Sequence, residues 1–228
     1  MKVEGLIFDF DGVLLESEWA GNKQIADYLT AIGHPTSVEE SMNNFMGLAG
    51  ADFIGAIERW IGRVLPDEFH TARAEEDARA IAEGIEEVAG AVAFIRALPP
   101  ELPRAICSSS SSEWIVSHLA HLGLEGAFGT RIFSGREHVA RGKPAPDLYL
   151  LAAREIGVPI ERIAIIEDSP VGVEGALASG AGVIGLVAGR HCMPGHEERL
   201  RALGVKYIAR NFDEVAELLD LDTGPSPT

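Results

Sequence analysis

Six short hydrophobic runs occur along the chain, each too short to form a helix. Short, continuous hydrophobic runs are typical of buried parallel strands, because both faces of such strands are covered and polar residues do not alternate with apolar ones. The predicted strands are Val3–Phe10, Pro103–Cys107, Arg131–Phe133, Ile163–Ile166, Val183–Val187 and Tyr207–Ala209. Helical patterns are predicted between them at Glu86–Leu98, Glu113–Leu122, Pro146–Ile156 and Pro170–Ser179. This alternation predicts an α/β fold, a Rossmann-like parallel sheet core with helices on both faces.

Residues 16–85 break the alternation, because this stretch contains helical patterns and no convincing strand. The predicted helices are Glu18–Ile32, Val38–Phe45, Ala51–Gly62 and Asp67–Ala82. The predicted domains are an α/β catalytic core at 1–15 and 86–222, an inserted all-helical cap at 16–85 and a polar tail at 223–228. Ligands of open α/β sheets bind outside the carboxyl ends of the strands. Since the insertion follows the first strand directly, a lid over that site is favoured over a bundle that only adds stability.

Composition narrows the possible partners. The 228 residues carry a formal net charge of −16, and 46% of them are hydrophobic, which is enough to build a core. The acidic excess disfavours a nucleic-acid binder, although a local cation or a few N–H groups can still attract a small anion. No run approaches the roughly 18 apolar residues of a membrane span, and no signal peptide is recognised. We therefore expect a cytoplasmic monomer with no nucleic-acid or membrane partner.

Polar and acidic residues follow three of the predicted strands. They are Asp9, Asp11, Ser108, Glu167 and Asp168, and Lys143 lies in a loop before a helix. The carboxyl ends of parallel strands meet at one edge of a sheet, so these residues are expected to share a pocket. Carboxylates held together repel each other unless a cation lies among them, and oxygen ligands suit Mg²⁺. A role in a turn or a helix cap explains any single aspartate. It poorly explains acids at two strand ends that occur together with a serine and a lysine.

Four short motifs contain the residues just named. They are Asp9–Val13 (DFDGV), Ile106–Ser110 (ICSSS), Gly142–Asp147 (GKPAPD) and Ile166–Val173 (IEDSPVGV). With these motifs the sequence resembles the haloacid-dehalogenase (HAD) superfamily, and within it looks most like the phosphatase and β-phosphoglucomutase-like group with a helical cap. The four motifs occur in the family's order, and the resemblance extends from Val3 to about Leu219. One DxD pair would be weak support for this family, but four ordered motifs in strand–helix contexts are strong support for it.

The resemblance implies a role for each matching residue. A carboxylate nucleophile divides one difficult displacement into two easier ones, and a single acid/base can serve both. The implied nucleophile is Asp9, and the implied general acid/base is Asp11. The candidate phosphate-binding residues are Ser108, the adjacent Ser109 and Lys143. The implied Mg²⁺ ligands are Asp9, the backbone carbonyl of Asp11, Glu167 and Asp168.

The favoured function is a Mg²⁺-dependent phosphatase that hydrolyses a small phosphorylated metabolite, such as a sugar phosphate, through an aspartyl-phosphate. One alternative is phosphoryl transfer of the β-phosphoglucomutase type. Mutases of that group carry a cap histidine and a cap arginine. The corresponding places here are Gly21 and Gly50, or a neighbour of Gly50 between Leu48 and Ala51, and neither residue type occurs there. A second alternative is a non-enzymatic phospho-aspartate switch resembling a response-regulator receiver. Asp11 argues against it, because an acid/base beside the phosphorylated residue favours rapid turnover.

Two local features have simpler expected roles. In the serine run after the second predicted strand, Ser110 or Ser112 is expected to cap the following helix. The segment from His191 to His196 contains residue types that bind soft metals. A structural zinc site normally closes with four ligands, so a mobile loop at the rim of the site is favoured instead.

Overall fold

The computed structural model describes residue 1, residues 3–46, residue 48 and residues 50–221. The polar tail predicted at 223–228 lies outside the described residues. The chain forms two compact units, which we call the helical unit (Ser17–Ile85) and the core unit (Met1–Glu16 and the chain from Glu86 onward). Among the described residues, no helix is both long enough and apolar enough to cross a membrane.

The helical unit is built, within its described residues, from four helices. They are α1 (Ser17–Ala31), α2 (Val38–Phe45), α3 (Gly50–Ile61) and α4 (Glu68–Glu83). Their apolar faces form a separate hydrophobic cluster of Ile25, Leu29, Phe45, Ile57, Ile61, Leu65 and Phe69. Helix α2 begins at a capping box in which Ser37 and Glu40 accept each other's backbone N–H groups. The predicted helices are confirmed, with ends shifted by at most one residue, and the role of the unit as a lid stays a prediction.

The described residues of the core unit form one parallel sheet. Its strands are β1 (Gly5–Phe8), β2 (Arg104–Ser108), β3 (Ile132–Ser134), β4 (Ile163–Glu167), β5 (Gly182–Leu186) and β6 (Tyr207–Ala209). Their order in the sheet is β3-β2-β1-β4-β5-β6, and every neighbouring pair is parallel. The prediction of an α/β Rossmann-like sheet is confirmed. The strand order reverses between β1 and β4, which is where open α/β sheets bind their ligands.

Helices connect the strands. They are α5 (Ala91–Ala97), α6 (Ser112–His121), α7 (Glu125–Phe128), α8 (Asp147–Ile156), α9 (Pro170–Ser179), α10 (His196–Ala202) and α11 (Phe212–Leu219). The predicted start of α5 at Glu86 is wrong, because Gly90 has a φ of +85° and Glu87 pairs with Leu15 in an isolated bridge. A left-handed residue cannot continue a right-handed helix, so α5 begins only after it.

Both faces of the sheet are buried. On one face, Ile7 belongs to a hydrophobic cluster that includes Leu148 and Tyr149. On the other, the Phe8 ring lies 6.2 Å from Phe94 and 6.0 Å from Phe128, edge to face in both cases. Burial on two sides is why the strands read as continuous hydrophobic runs. It also leaves the strand ends as the places where polar side chains emerge.

Candidate active site

The carboxyl edge of the sheet brings together residues from three strands. Asp9 follows β1, and its N–H donates to the carbonyl of Ile166 at 2.9 Å, so the β1–β4 ladder continues to this residue. Ser108 is the last residue of β2, and Glu167 is the last residue of β4. Because β1 lies between β2 and β4, Asp9 lies between the other two residues at the switch point.

Three buried carboxylates meet at this edge. Asp9, Glu167 and Asp168 are 6%, 0% and 2% exposed, and one oxygen of each lies within 4.8 Å of the others. Burial, followed by the negative charge of Glu167, raises the pKa of Asp9 well above its usual value, while Lys143 opposes this effect. When ionised, these three carboxylates together carry more negative charge than the one ammonium group of Lys143 offsets. A divalent cation with a preference for oxygen ligands fits such a site.

The side chain of Lys143 places a positive charge among these carboxylates. Its Nζ donates to Oδ1 of Asp9 at 2.6 Å and to Oε1 of Glu167 at 2.5 Å, and its side chain is 4% exposed. Burial lowers the pKa of Lys143, but the two carboxylates outweigh burial and hold this pKa well above its usual value. Lys143 therefore stays charged. Its loop is backed by α9, where a Cβ at Gly175 would lie 3.0 Å from the carbonyl oxygen of Pro144.

Glu167 is saturated with hydrogen bonds from the protein. Its Oε1 accepts from Lys143 and from the hydroxyl of Tyr149 at 2.8 Å. Its Oε2 accepts from the backbone N–H groups of the next two residues, both at 3.0 Å, and from the hydroxyl of Ser169 at 3.1 Å. Only glycine fits at position 172, because a Cβ there would overlap this carboxylate. Glu167 is thus a rigid acceptor that fixes the lysine.

The carboxylate of Asp11 is held by three donors from β2 and the segment that follows it. Its Oδ2 accepts from the hydroxyls of Ser108 at 2.9 Å and Ser110 at 2.7 Å, and its Oδ1 accepts from the indole N–H of Trp114 at 3.0 Å. The N–H of Ser110 also donates to the hydroxyl of Ser108 at 2.9 Å. Ser109, which was predicted with Ser108 as a phosphate-binding residue, is exposed.

Comparison with known proteins places this arrangement in a family. The family model for haloacid dehalogenase-like hydrolases matches residues 3–180. The chain belongs to the haloacid dehalogenase-like hydrolases. The family resemblance predicted from the four motifs is therefore confirmed, as is the prediction of a hydrolase of this superfamily.

Relatives of this haloacid dehalogenase-like hydrolase include named phosphatases. Hexitol phosphatase A of Escherichia coli (strain K12) is 32% identical over 200 residues, which cover 82% of this chain and 85% of that protein. The 6-phosphogluconate phosphatase of the same strain is 26% identical over 195 residues, which cover 85% of this chain and 86% of that protein. The crystal structure of a HAD family hydrolase from Deinococcus radiodurans R1, with bound phosphate and sodium, matches with a TM-score of 0.86 and 29% identity over 97% of each chain.

The pattern of the hydrolase sequence did not reveal every residue of the site. Ser110, Trp114 and Tyr149 donate hydrogen bonds to the predicted site residues. From the sequence, Ser110 was expected only as a possible helix cap, and no role was predicted for Trp114 or Tyr149. The expected helix cap is wrong as well, since Ser111 caps α6 by accepting the N–H of Trp114 at 3.3 Å. Capping by Ser111 leaves the hydroxyl of Ser110 to reach Asp11.

Proposed function

We propose that this hydrolase is a Mg²⁺-dependent phosphatase that acts on small phosphorylated carbohydrates through an aspartyl-phosphate on Asp9. The observation that carries the proposal is the surroundings of Asp9, a buried carboxylate 2.6 Å from the Lys143 ammonium and clustered with two further carboxylates. The names of the relatives, hexitol phosphatase A and 6-phosphogluconate phosphatase, support phosphorylated carbohydrates as the substrate class.

In the first proposed step, a carboxylate oxygen of Asp9 attacks phosphorus, and the bond between phosphorus and the ester oxygen breaks. Protonated Asp11 gives its proton to the departing oxygen. Lys143 and the hydroxyl of Ser108 donate to the phosphoryl oxygens as negative charge shifts onto them. The Ser108 hydroxyl must then leave Asp11, whose carboxyl group keeps Ser110 and Trp114 as partners.

In the second step, Asp11 takes a proton from a water molecule, and the water oxygen attacks phosphorus of the aspartyl-phosphate. The bond from phosphorus to Asp9 breaks, inorganic phosphate is released, and Asp9 is again a carboxylate. One acid/base residue serves both steps because the leaving oxygen and the attacking water occupy the same side of phosphorus.

The residues that would hold Mg²⁺ are Asp9, Asp168 and the backbone carbonyl of Asp11. When bound, the ion supplies positive charge that offsets the repulsion between an anionic phosphate and an anionic nucleophile. Glu167, also predicted as a ligand, already accepts five hydrogen bonds from the protein. We therefore assign Glu167 mainly to the anchoring of Lys143.

A panel of phosphorylated metabolites tests the proposal. With Mg²⁺, we expect phosphate release to be most efficient, by kcat/KM, for phosphorylated hexitols, sugars and sugar acids. Chelation by EDTA should reduce turnover by roughly a hundredfold or more, since the ion contributes several kcal/mol to the transition state. Transfer of phosphate to a second sugar without release would indicate a mutase. A long-lived phospho-Asp9 without turnover would indicate a switch.

Trp114→Phe tests whether the indole N–H positions Asp11. A general acid matters most when the leaving oxygen is a poor leaving group, so we expect the variant to lose activity selectively. For an alkyl phosphate kcat/KM should fall roughly tenfold, the usual effect of one hydrogen bond to a charged group. For p-nitrophenyl phosphate the first step needs little proton donation and should change little, as single-turnover measurements can show.

Trp60→Phe is the matched control, because Trp60 belongs to α3 and its indole donates to Thr36 within the helical unit. Both substrates should behave as in the wild type in this control. Equal losses for the alkyl and aryl phosphates in Trp114→Phe would argue that the indole only supports the fold.

A further inference from the structure

The segment after β5 reaches back to Asp168. The Nε2 atom of His191 lies 2.7 Å from Oδ2 of Asp168, and the two side chains are 2% and 3% exposed. An ionised carboxylate can only accept hydrogen bonds, so Nε2 carries the hydrogen and donates it. This contact ties the side chain of a proposed cation ligand to a residue more than twenty positions later in the chain.

His196 holds the backbone of the same aspartate. Its Nε2 lies 2.6 Å from the carbonyl oxygen of Asp168, and its Nδ1 lies 3.1 Å from Nη2 of Arg199. A guanidinium group has no acceptor, so Nδ1 accepts from Arg199 and Nε2 donates to the carbonyl. Asp168 is therefore held at two points, its carboxylate by one histidine and its main chain by the other.

The imidazole of His191 has little room to move. A Cβ at Gly12 would lie 2.9 Å from its Cε1 atom, and a Cβ at Gly189 would lie 2.6 Å from the same atom. The next residue along from Gly189 is also fixed, because the backbone N–H of Arg190 donates to the buried carboxylate of Glu16 at 3.1 and 3.2 Å. The sequence favours a mobile loop at the rim here, but His191 and His196 are 2% and 4% exposed.

A soft-metal site is the other reading of this segment. One ligand atom from each of His191, Cys192 and His196 lies within 4.8 Å of the others. Both ring nitrogens of His196 are engaged, however, with Arg199 and with the Asp168 carbonyl. That leaves two ligands of this group, whereas a structural zinc site closes with four.

We propose that His191 and His196 are positioning residues that hold Asp168 in place for the divalent cation. The inference rests on the proposed function, in which Asp168 is a ligand. A carboxylate that can rotate freely must be ordered when the ion binds, and a donor that already fixes it removes that cost. Hydrogen-bond partners of metal ligands commonly affect metal affinity by about 10–100-fold.

The test measures Mg²⁺ binding to the full chain by isothermal titration calorimetry without substrate. His191→Leu removes the donor, and we expect the Kd for Mg²⁺ to rise by about 10–100-fold. Gln and Asn are compared because the amide nitrogen of glutamine can reach the position of Nε2, whereas that of asparagine is one methylene too short. His191→Gln should bind within a few-fold of the wild type, and His191→Asn should bind as weakly as His191→Leu. His121→Leu, an exposed change on α6, should leave binding unchanged.

The outcomes separate this inference from the proposed function. Absence of Mg²⁺ binding by the wild type would overturn the function and the inference together. Wild-type affinity in both His191→Leu and His191→Asn would overturn the positioning role alone. Equal weakening of Mg²⁺ binding in His191→Gln and His191→Asn would also overturn it, because the affinity would then not depend on whether an N–H donor reaches Asp168. If His191→Leu does not fold, the comparison of His191→Gln with His191→Asn still tests the positioning role.

Discussion

Asp9→Asn should lose phosphatase activity by a factor of at least about a thousand, the scale seen when a covalent nucleophile is removed. The amide oxygen is neutral and does not form a stable bond to phosphorus, so neither step of the reaction can begin. Phosphate release from p-nitrophenyl phosphate with Mg²⁺ measures the loss. Mass spectrometry of the acid-quenched enzyme should find a phosphoryl group on Asp9 in the wild type and none in the variant.

Two further variants sharpen this experiment. Asp213→Asn removes an exposed carboxylate from the first turn of α11, and it should keep wild-type activity. Asp11→Asn should accumulate phospho-Asp9, because the residue that takes a proton from water is missing. Turnover by Asp9→Asn within tenfold of the wild type would refute the assignment of the nucleophile.

Lys143→Met should damage both stability and catalysis. Methionine keeps an unbranched side chain but leaves the buried carboxylates of Asp9 and Glu167 without their ammonium. Removing one partner of a buried ion pair typically costs about 3–5 kcal/mol of unfolding free energy. Loss of a donor to the phosphoryl oxygens should lower kcat/KM by a further factor of about 10²–10³. Urea denaturation in EDTA and steady-state kinetics with Mg²⁺ measure the two effects separately.

The stability loss in Lys143→Met should depend on pH. Lys143 opposes the rise in the pKa of Asp9 that burial and Glu167 cause, so its removal raises this pKa further. An acid whose folded pKa exceeds its unfolded value of about 4 favours the folded state when protonated, and that benefit is lost as the pH rises. The difference in unfolding free energy from the wild type should therefore be larger at about pH 8 than at about pH 4, a range that lies below the unfolded pKa of lysine, about 10.4. Lys206→Met, at an exposed position, is the control, and a pH-independent difference would contradict the coupling.

Much of the fold could be predicted from local pattern. Hydrophobic runs marked all six strands, because burial on both faces removes polar residues from the strand interiors. The short helices α7, α10 and α11 were not predicted, since a few turns of chain contain too little periodicity. The start of α5 was misplaced for a different reason. The conformation of Gly90 and the bridge from Leu15 to Glu87 depend on a neighbouring segment, and the helical pattern around Glu86 contains no sign of it.

The sequence by itself determined which residue types stand at the ends of β1, β2 and β4, and hence that acids, a serine and a lysine belong to one site. For the acids and the serine this followed from the positions of parallel strand ends, and for Lys143, which lies in a loop before a helix, it followed from the GKPAPD motif. Only the tertiary structure decided what holds them: Trp114 against Asp11 and His191 against Asp168. These contacts join residues far apart in the chain through the packing of helices and loops. Side-chain direction in such segments is set by their neighbours in space, and periodicity along the chain does not encode it.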